Sequence, residues 1–104
     1  MKYLWLIFLV TLMVGQEQLQ VKVSTTQHEA KLSWKASNQK VNYRVWRSTT
    51  QTGKYTEIKS GITVLTYTDT TVVGGDTYYY KVDCRNPQTN ATSGYSNIVK
   101  AVIP

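Results

Sequence analysis

Val72-Val73-Gly74-Gly75-Asp76-Thr77-Tyr78-Tyr79-Tyr80-Lys81-Val82-Asp83-Cys84-Arg85-Asn86 decides how the chain is read, because it joins a glycine turn to the longest β-favouring run in the sequence. Alternation with period two sets Tyr78, Tyr80, Val82 and Cys84 on one face and Tyr79, Lys81, Asp83 and Arg85 on the other. The first set belongs in a core, the second in water. A tyrosine just past a turn, at the head of a long central strand, is where β-sandwiches place a tyrosine corner, with the hydroxyl bonded back to the turn backbone. Tyr78 stands in that position.

Working outward, Leu19-Gln20-Val21-Lys22-Val23-Ser24 alternates as a first strand, and Thr25-Thr26-Gln27-His28 reads as a polar turn. Glu29 to Lys35 alternates again with Ala30, Leu32 and Trp34 inward, and Trp34 is large enough to anchor a core. After a loop over 36–40, Val41 to Ser48 forms a third strand with Val41, Tyr43 and Val45 inward and Arg44 and Trp46 outward. Lys54 to Lys59 is a short edge-like strand that Ser60-Gly61 breaks, Leu65 to Thr70 a fifth, and Tyr95 to Pro104 closes the domain after the loop from Pro87 to Gly94. Seven short strands separated by turn signals, with no helical periodicity after residue 16, predict an all-β two-sheet sandwich.

The 104-residue chain has length for one domain and one modest core. Its N-terminus differs in composition: Lys2 precedes the apolar run 3–14, and Gly15 is followed by Gln16-Glu17-Gln18. That pattern predicts a secretory signal peptide over 1–15, too short to span a bilayer, and a mature domain over 16–104 with no membrane span after cleavage. A retained anchor is the alternative. Secretion or residence in the cell envelope follows. Cys84 is the single cysteine, so no disulfide can form within the chain, and its inward parity predicts a buried thiol acting as a small hydrophobe. Lys and Arg total 12 against 6 acidic residues, for a formal charge of +6. The basic residues are dispersed along the strands, as expected for solubility and edge protection rather than for one charged patch.

Six pieces carry a resemblance: Leu32-Ser33-Trp34, Tyr43 to Ser48, Gly53 to Ile58, Thr66 to Asp69, Gly75 to Val82, and Gly94-Tyr95-Ser96-Asn97. Together they resemble the fibronectin type III module, in the form appended to bacterial extracellular enzymes, over about residues 19 to 104. The resemblance implies an immunoglobulin-like sandwich, strands A, B and E against C, C′, F and G, acting as a spacer or protein-binding unit without a catalytic residue. A single module behind a signal peptide is expected.

The residues themselves offer little for catalysis. His28 lies in a turn. Asp69 and Asp76 flank turns, where aspartate caps backbone donors, and Asp83 is expected outward between Lys81 and Arg85, making surface ion pairs of little worth. Metalloprotease, phosphate-loop, nucleophile-elbow and paired-cysteine motifs do not occur. No enzyme activity, cofactor or metal site is expected, and Asn90-Ala91-Thr92 is a glycosylation sequon. Nucleic acid is not expected as a partner, because the core claims most of the aromatics and few remain outside. The leading expectation is an exported module that binds another protein. A carbohydrate-binding accessory and a structural subunit of a surface or virion assembly are the alternatives, and the oligomeric state is left open. Outward parity, with the strand neighbours the resemblance implies, gathers a candidate partner face: Trp46, Tyr79 and Ile98 as an apolar patch rimmed by Arg44, Lys81 and Lys100. The same residues would also serve as cross-strand pairs that stabilise a sheet.

Overall fold

A computed structural model describes residues 19–36 and 40–104. The expected export segment, the boundary at residue 16 and residues 37–39 of the first long loop lie outside the described residues. Seven strands form: β1 (Val21–Thr26), β2 (Glu29–Trp34), β3 (Asn42–Ser48), β4 (Thr56–Ile62), β5 (Thr66–Asp69), β6 (Thr77–Arg85) and β7 (Val99–Val102). They pair antiparallel in two sheets, β1-β2-β5 and β4-β3-β6-β7. This is the expected three-on-four sandwich. No helix among the described residues is long and apolar enough to cross a membrane.

Alternation places the core as read from the sequence. Tyr78, Tyr80, Val82 and Cys84 of β6 are buried beside Tyr43 and Val45 of the neighbouring β3, and all of them join Ala30, Leu32 and Trp34 of β2, from the other sheet, in one core. The Trp34 and Tyr43 rings meet at 5.4 Å between centroids, so each sheet contributes one large ring to the same contact. The tyrosine corner is present. The backbone amide of Val73 donates to the Tyr78 hydroxyl at 3.0 Å, fixing the turn that launches β6. Gly75 adopts φ 87 in that turn, a left-handed conformation that a side chain would strain.

Three element boundaries differ from expectation, each for a local reason. β1 runs on through Thr25 and Thr26, because a two-residue turn with His28 at φ 69 suffices to reverse the chain into β2. β4 continues through Ser60-Gly61 instead of breaking there. Ser60 and Gly61 together oppose the single residue Arg44, and Gly61 at φ 68 absorbs the extra length as a bulge on an edge strand. β7 begins at Val99 rather than Tyr95, because side chains replace the ladder ahead of it. The amides of Val82 and Cys84 donate to the hydroxyls of Ser96 and Ser93, while Ser96 and Ser93 return backbone bonds to the carbonyls of Val82 and Cys84. Asn97 then links the layers, its Oδ1 accepting from the Val21 amide at 2.8 Å and its Nδ2 donating to the Val21 carbonyl at 3.1 Å. Side-chain bonds and two isolated backbone bonds thus stand in for the ladder on this stretch.

Candidate functional site

The outer face of the four-stranded sheet is built on register. Arg44 of β3 lies opposite Asp83 of β6, Trp46 opposite Lys81, and Ser48 opposite Tyr79, while Trp46 also faces Glu57 of β4 and Tyr79 faces Lys100 of β7. Because Val45, Tyr80, Val82 and Ala101 point into the core, these alternate residues must point away from it.

Asp83 is the correction that reorganises the face. It was expected as an exposed carboxylate, yet it is 2% exposed. The Arg44 guanidinium donates to both of its oxygens, and the Trp46 indole donates to Oδ1 at 3.1 Å. Arg44 also lies 3.6 Å from Glu57 and stacks 5.0 Å from the Trp46 ring centre. The bond to Asp83 is the main reason that the Arg44 pKa is raised, against the opposing effect of burial. One carboxylate therefore locks two large side chains in place. Trp46 becomes a half-buried, oriented ring rather than a loose surface aromatic.

Lys81 is the second correction. It was expected at the rim, but it sits inside the cluster, its ammonium 4.3 Å from the centre of the Tyr55 ring and 3.7 Å from that of Tyr95. Tyr95 in turn meets Trp46 edge-on, 5.7 Å between centroids at 88°. Burial, and after it the Tyr79 phenol, pushes the Tyr55 pKa up. Ile98, ahead of β7, and Lys100, on it, are exposed and extend the face toward the sheet edge. Arg44, Trp46, Tyr79, Lys81 and Lys100 thus point to one side of the sheet by register, and Ile98 is exposed just ahead of β7. The aromatics outside the core are more numerous than expected: Trp46, Tyr55, Tyr79 and Tyr95 all contribute. The sequence pattern assigns Tyr55 and Tyr95 no facing: each falls in an expected strand, whereas both stand just ahead of the strands that form, β4 and β7.

For chemistry the face offers oriented rings, bound cations and satisfied carboxylates. Among the described residues, no three His, Cys, Asp or Glu side chains gather to hold a metal ion. Cys84 is buried, and burial pushes its thiol pKa up although the Ser93 hydroxyl opposes this, the reverse of what a reactive thiolate needs.

The fold and the sequence have clear relatives. A crystal structure of an Fn3-like protein from Clostridium thermocellum matches at 31% identity and a TM-score of 0.68, covering 83% of this chain and 88% of that one. The chain belongs to the fibronectin type III family. No family model matches it. An amylopullulanase from Thermoanaerobacter thermohydrosulfuricus is 41% identical over 70 residues, which is 67% of this chain but 5% of the enzyme. Pectate lyase PelI from Erwinia chrysanthemi, crystallised with tetragalacturonic acid, matches at 25% identity and a TM-score of 0.72, covering 82% of this fibronectin type III chain and 28% of the lyase. The chain thus corresponds to a small part of these enzymes.

Proposed function

We propose that this fibronectin type III domain is an exported, non-enzymatic accessory module that docks a protein partner on the outer face of β4-β3-β6-β7. The observation that carries this reading is the state of the aromatic rings. A sugar-binding platform needs open ring faces lying roughly in one plane, whereas here Trp46 and Tyr95 stand at 88°. Arg44 covers a face of Trp46, and Lys81 covers faces of Tyr55 and Tyr95. Tryptophan, tyrosine and arginine held rigidly in one patch suit a protein interface, where such groups dominate binding energy and cost little entropy to order. The kinship with amylopullulanase and pectate lyase favours a second reading, attachment to a polysaccharide.

Photo-cross-linking separates the two. A benzoylphenylalanine at Val102, 55% exposed on this side, should give protein adducts from the exported fraction that Trp46→Ala removes. The same probe at Thr68, exposed on β5 of the other sheet, should give none. Retention on starch, pullulan or pectin that Trp46→Ala abolishes would overturn the protein reading in favour of the second.

A further inference from the structure

The charges on the outer face are unevenly answered. Its two carboxylates, Asp83 and Glu57, both pair with Arg44. Lys81 lies across from Trp46 on β3, with Glu57 on the far side of that ring, and two residues from Asp83 on β6, yet no salt bridge among the described residues includes it or any other lysine. Its neighbours are the Tyr55 and Tyr95 rings. Two rings attract an ammonium through their π-faces but leave its formal charge uncompensated, and they displace water that would otherwise solvate it. Lys100, exposed across from Tyr79, adds a second cation without a carboxylate. Beside these cations Tyr95, Ile98 and Val102 are 44%, 40% and 55% exposed, a strip of apolar surface at the β7 edge.

Resting on the docking reading above, we propose that Lys81 is the anchoring charge of the interface. It receives a carboxylate side chain from a partner polypeptide whose adjoining apolar residue covers Tyr95, Ile98 and Val102. Charge complementarity selects the occupant: Arg44, Lys81 and Lys100 outnumber Asp83 and Glu57 by three to two, and both carboxylates are held at Arg44, so the end of the face at Lys81 and Lys100 favours an acidic segment and repels a basic one. Nucleic acid is disfavoured by the same rings, since the cations already lie over the faces on which bases would stack.

The test is an NMR titration of the isotope-labelled full chain with the peptide acetyl-Glu-Phe-Glu-amide and with its Gln-Phe-Gln counterpart. The acidic peptide should shift Trp46, Tyr55, Lys81 and Tyr95 together. The neutral peptide should bind about two- to five-fold more weakly, the scale of one partly covered ion pair. Lys81→Met, which keeps the apolar stem between the rings, should abolish that preference, Lys81→Arg should retain it, and Lys22→Met on β1 should leave it unchanged. Equal binding of the two peptides at this face would overturn the carboxylate inference while leaving the docking reading intact. Shifts spread over lysines of both sheets, or no saturable shift with either peptide, would also overturn the inference. Lys81-dependent binding of an oligogalacturonate or a single-stranded oligonucleotide, without binding of the acidic peptide, would sink both readings.

Discussion

Asp69 and Asp83 are buried to nearly the same degree, 1% and 2% exposed, and each is held by one arginine of β3 and one aromatic donor. Asp69, at the end of β5, accepts from Arg47 at 2.8 Å and from the Tyr80 hydroxyl at 2.6 Å, while the Thr71 amide and hydroxyl close its other oxygen. Asp83, on β6, takes Arg44 and the Trp46 indole. The chemistry is almost the same, but the connectivity differs. The Asp69 cluster joins β5 of one sheet to β3 and β6 of the other, so it fastens the two layers. The Asp83 cluster joins neighbouring strands of a single sheet that the backbone ladder already holds, so its effect is to orient side chains on a surface. A buried carboxylate is structural or surface-forming according to which elements it ties together.

The largest expected effect separates them directly. Asp69→Ala leaves the hydroxyl of the fully buried Tyr80 without its acceptor and removes the carboxylate that ties β5 to β3 and β6, and should cost about 2–4 kcal/mol in denaturant unfolding. Asp83→Ala should cost about 1–3 kcal/mol, because Arg44 already lies 3.6 Å from Glu57 and keeps a carboxylate, and no bond between the sheets is lost. Equal losses would break the distinction between fastening layers and ordering a face.

Acid sharpens the same contrast. Burial pushes the Asp69 pKa up, but the Thr71 and Tyr80 hydroxyls, the Thr71 amide and Arg47 outweigh it and leave the carboxyl below its ordinary range. A carboxylate with a depressed folded pKa binds protons more readily when unfolded. Its contribution is therefore complete above the unfolded value, near pH 4, and is lost as pH falls through the folded one. Denaturant midpoints should fall below about pH 4 in the parent and fall less over that window in Asp69→Asn. A parallel decline in the two proteins would remove Asp69 as the acid-sensitive group. Smallest of all, Trp46→Phe keeps a ring under Arg44 and deletes only the indole donor to Asp83, so about 0.5–1.5 kcal/mol should be lost. A loss larger than that of Asp83→Ala would mean that the ring, not the carboxylate, organises the face.

Much of the fold was legible because it depends on short-range pattern. The inward set Tyr78, Tyr80, Val82 and Cys84 follows from period-two alternation, and the corner role of Tyr78 follows from its place after Gly74-Gly75. Alternation also put Arg44, Trp46, Tyr79 and Lys81 on one side. It could not say what lies there, because direction away from the core is not the same as exposure. Asp83 obeys its parity and is nonetheless buried, covered by an arginine 39 positions earlier in the chain.

The sequence by itself determined the sandwich, its strand order by family likeness, the core and the identity of its outward face. Apart from the strand order, these rest on backbone periodicity and turn residues that act within a few positions. Tertiary structure alone decided that Ser93, Ser96 and Asn97 would stand in for a strand, that Tyr55 and Tyr95 would close on Lys81, and that Asp69 and Asp83 would serve different ends. Those outcomes depend on which distant side chains the sheet register brings within hydrogen-bond or ring contact, and register is set only when both sheets are in place.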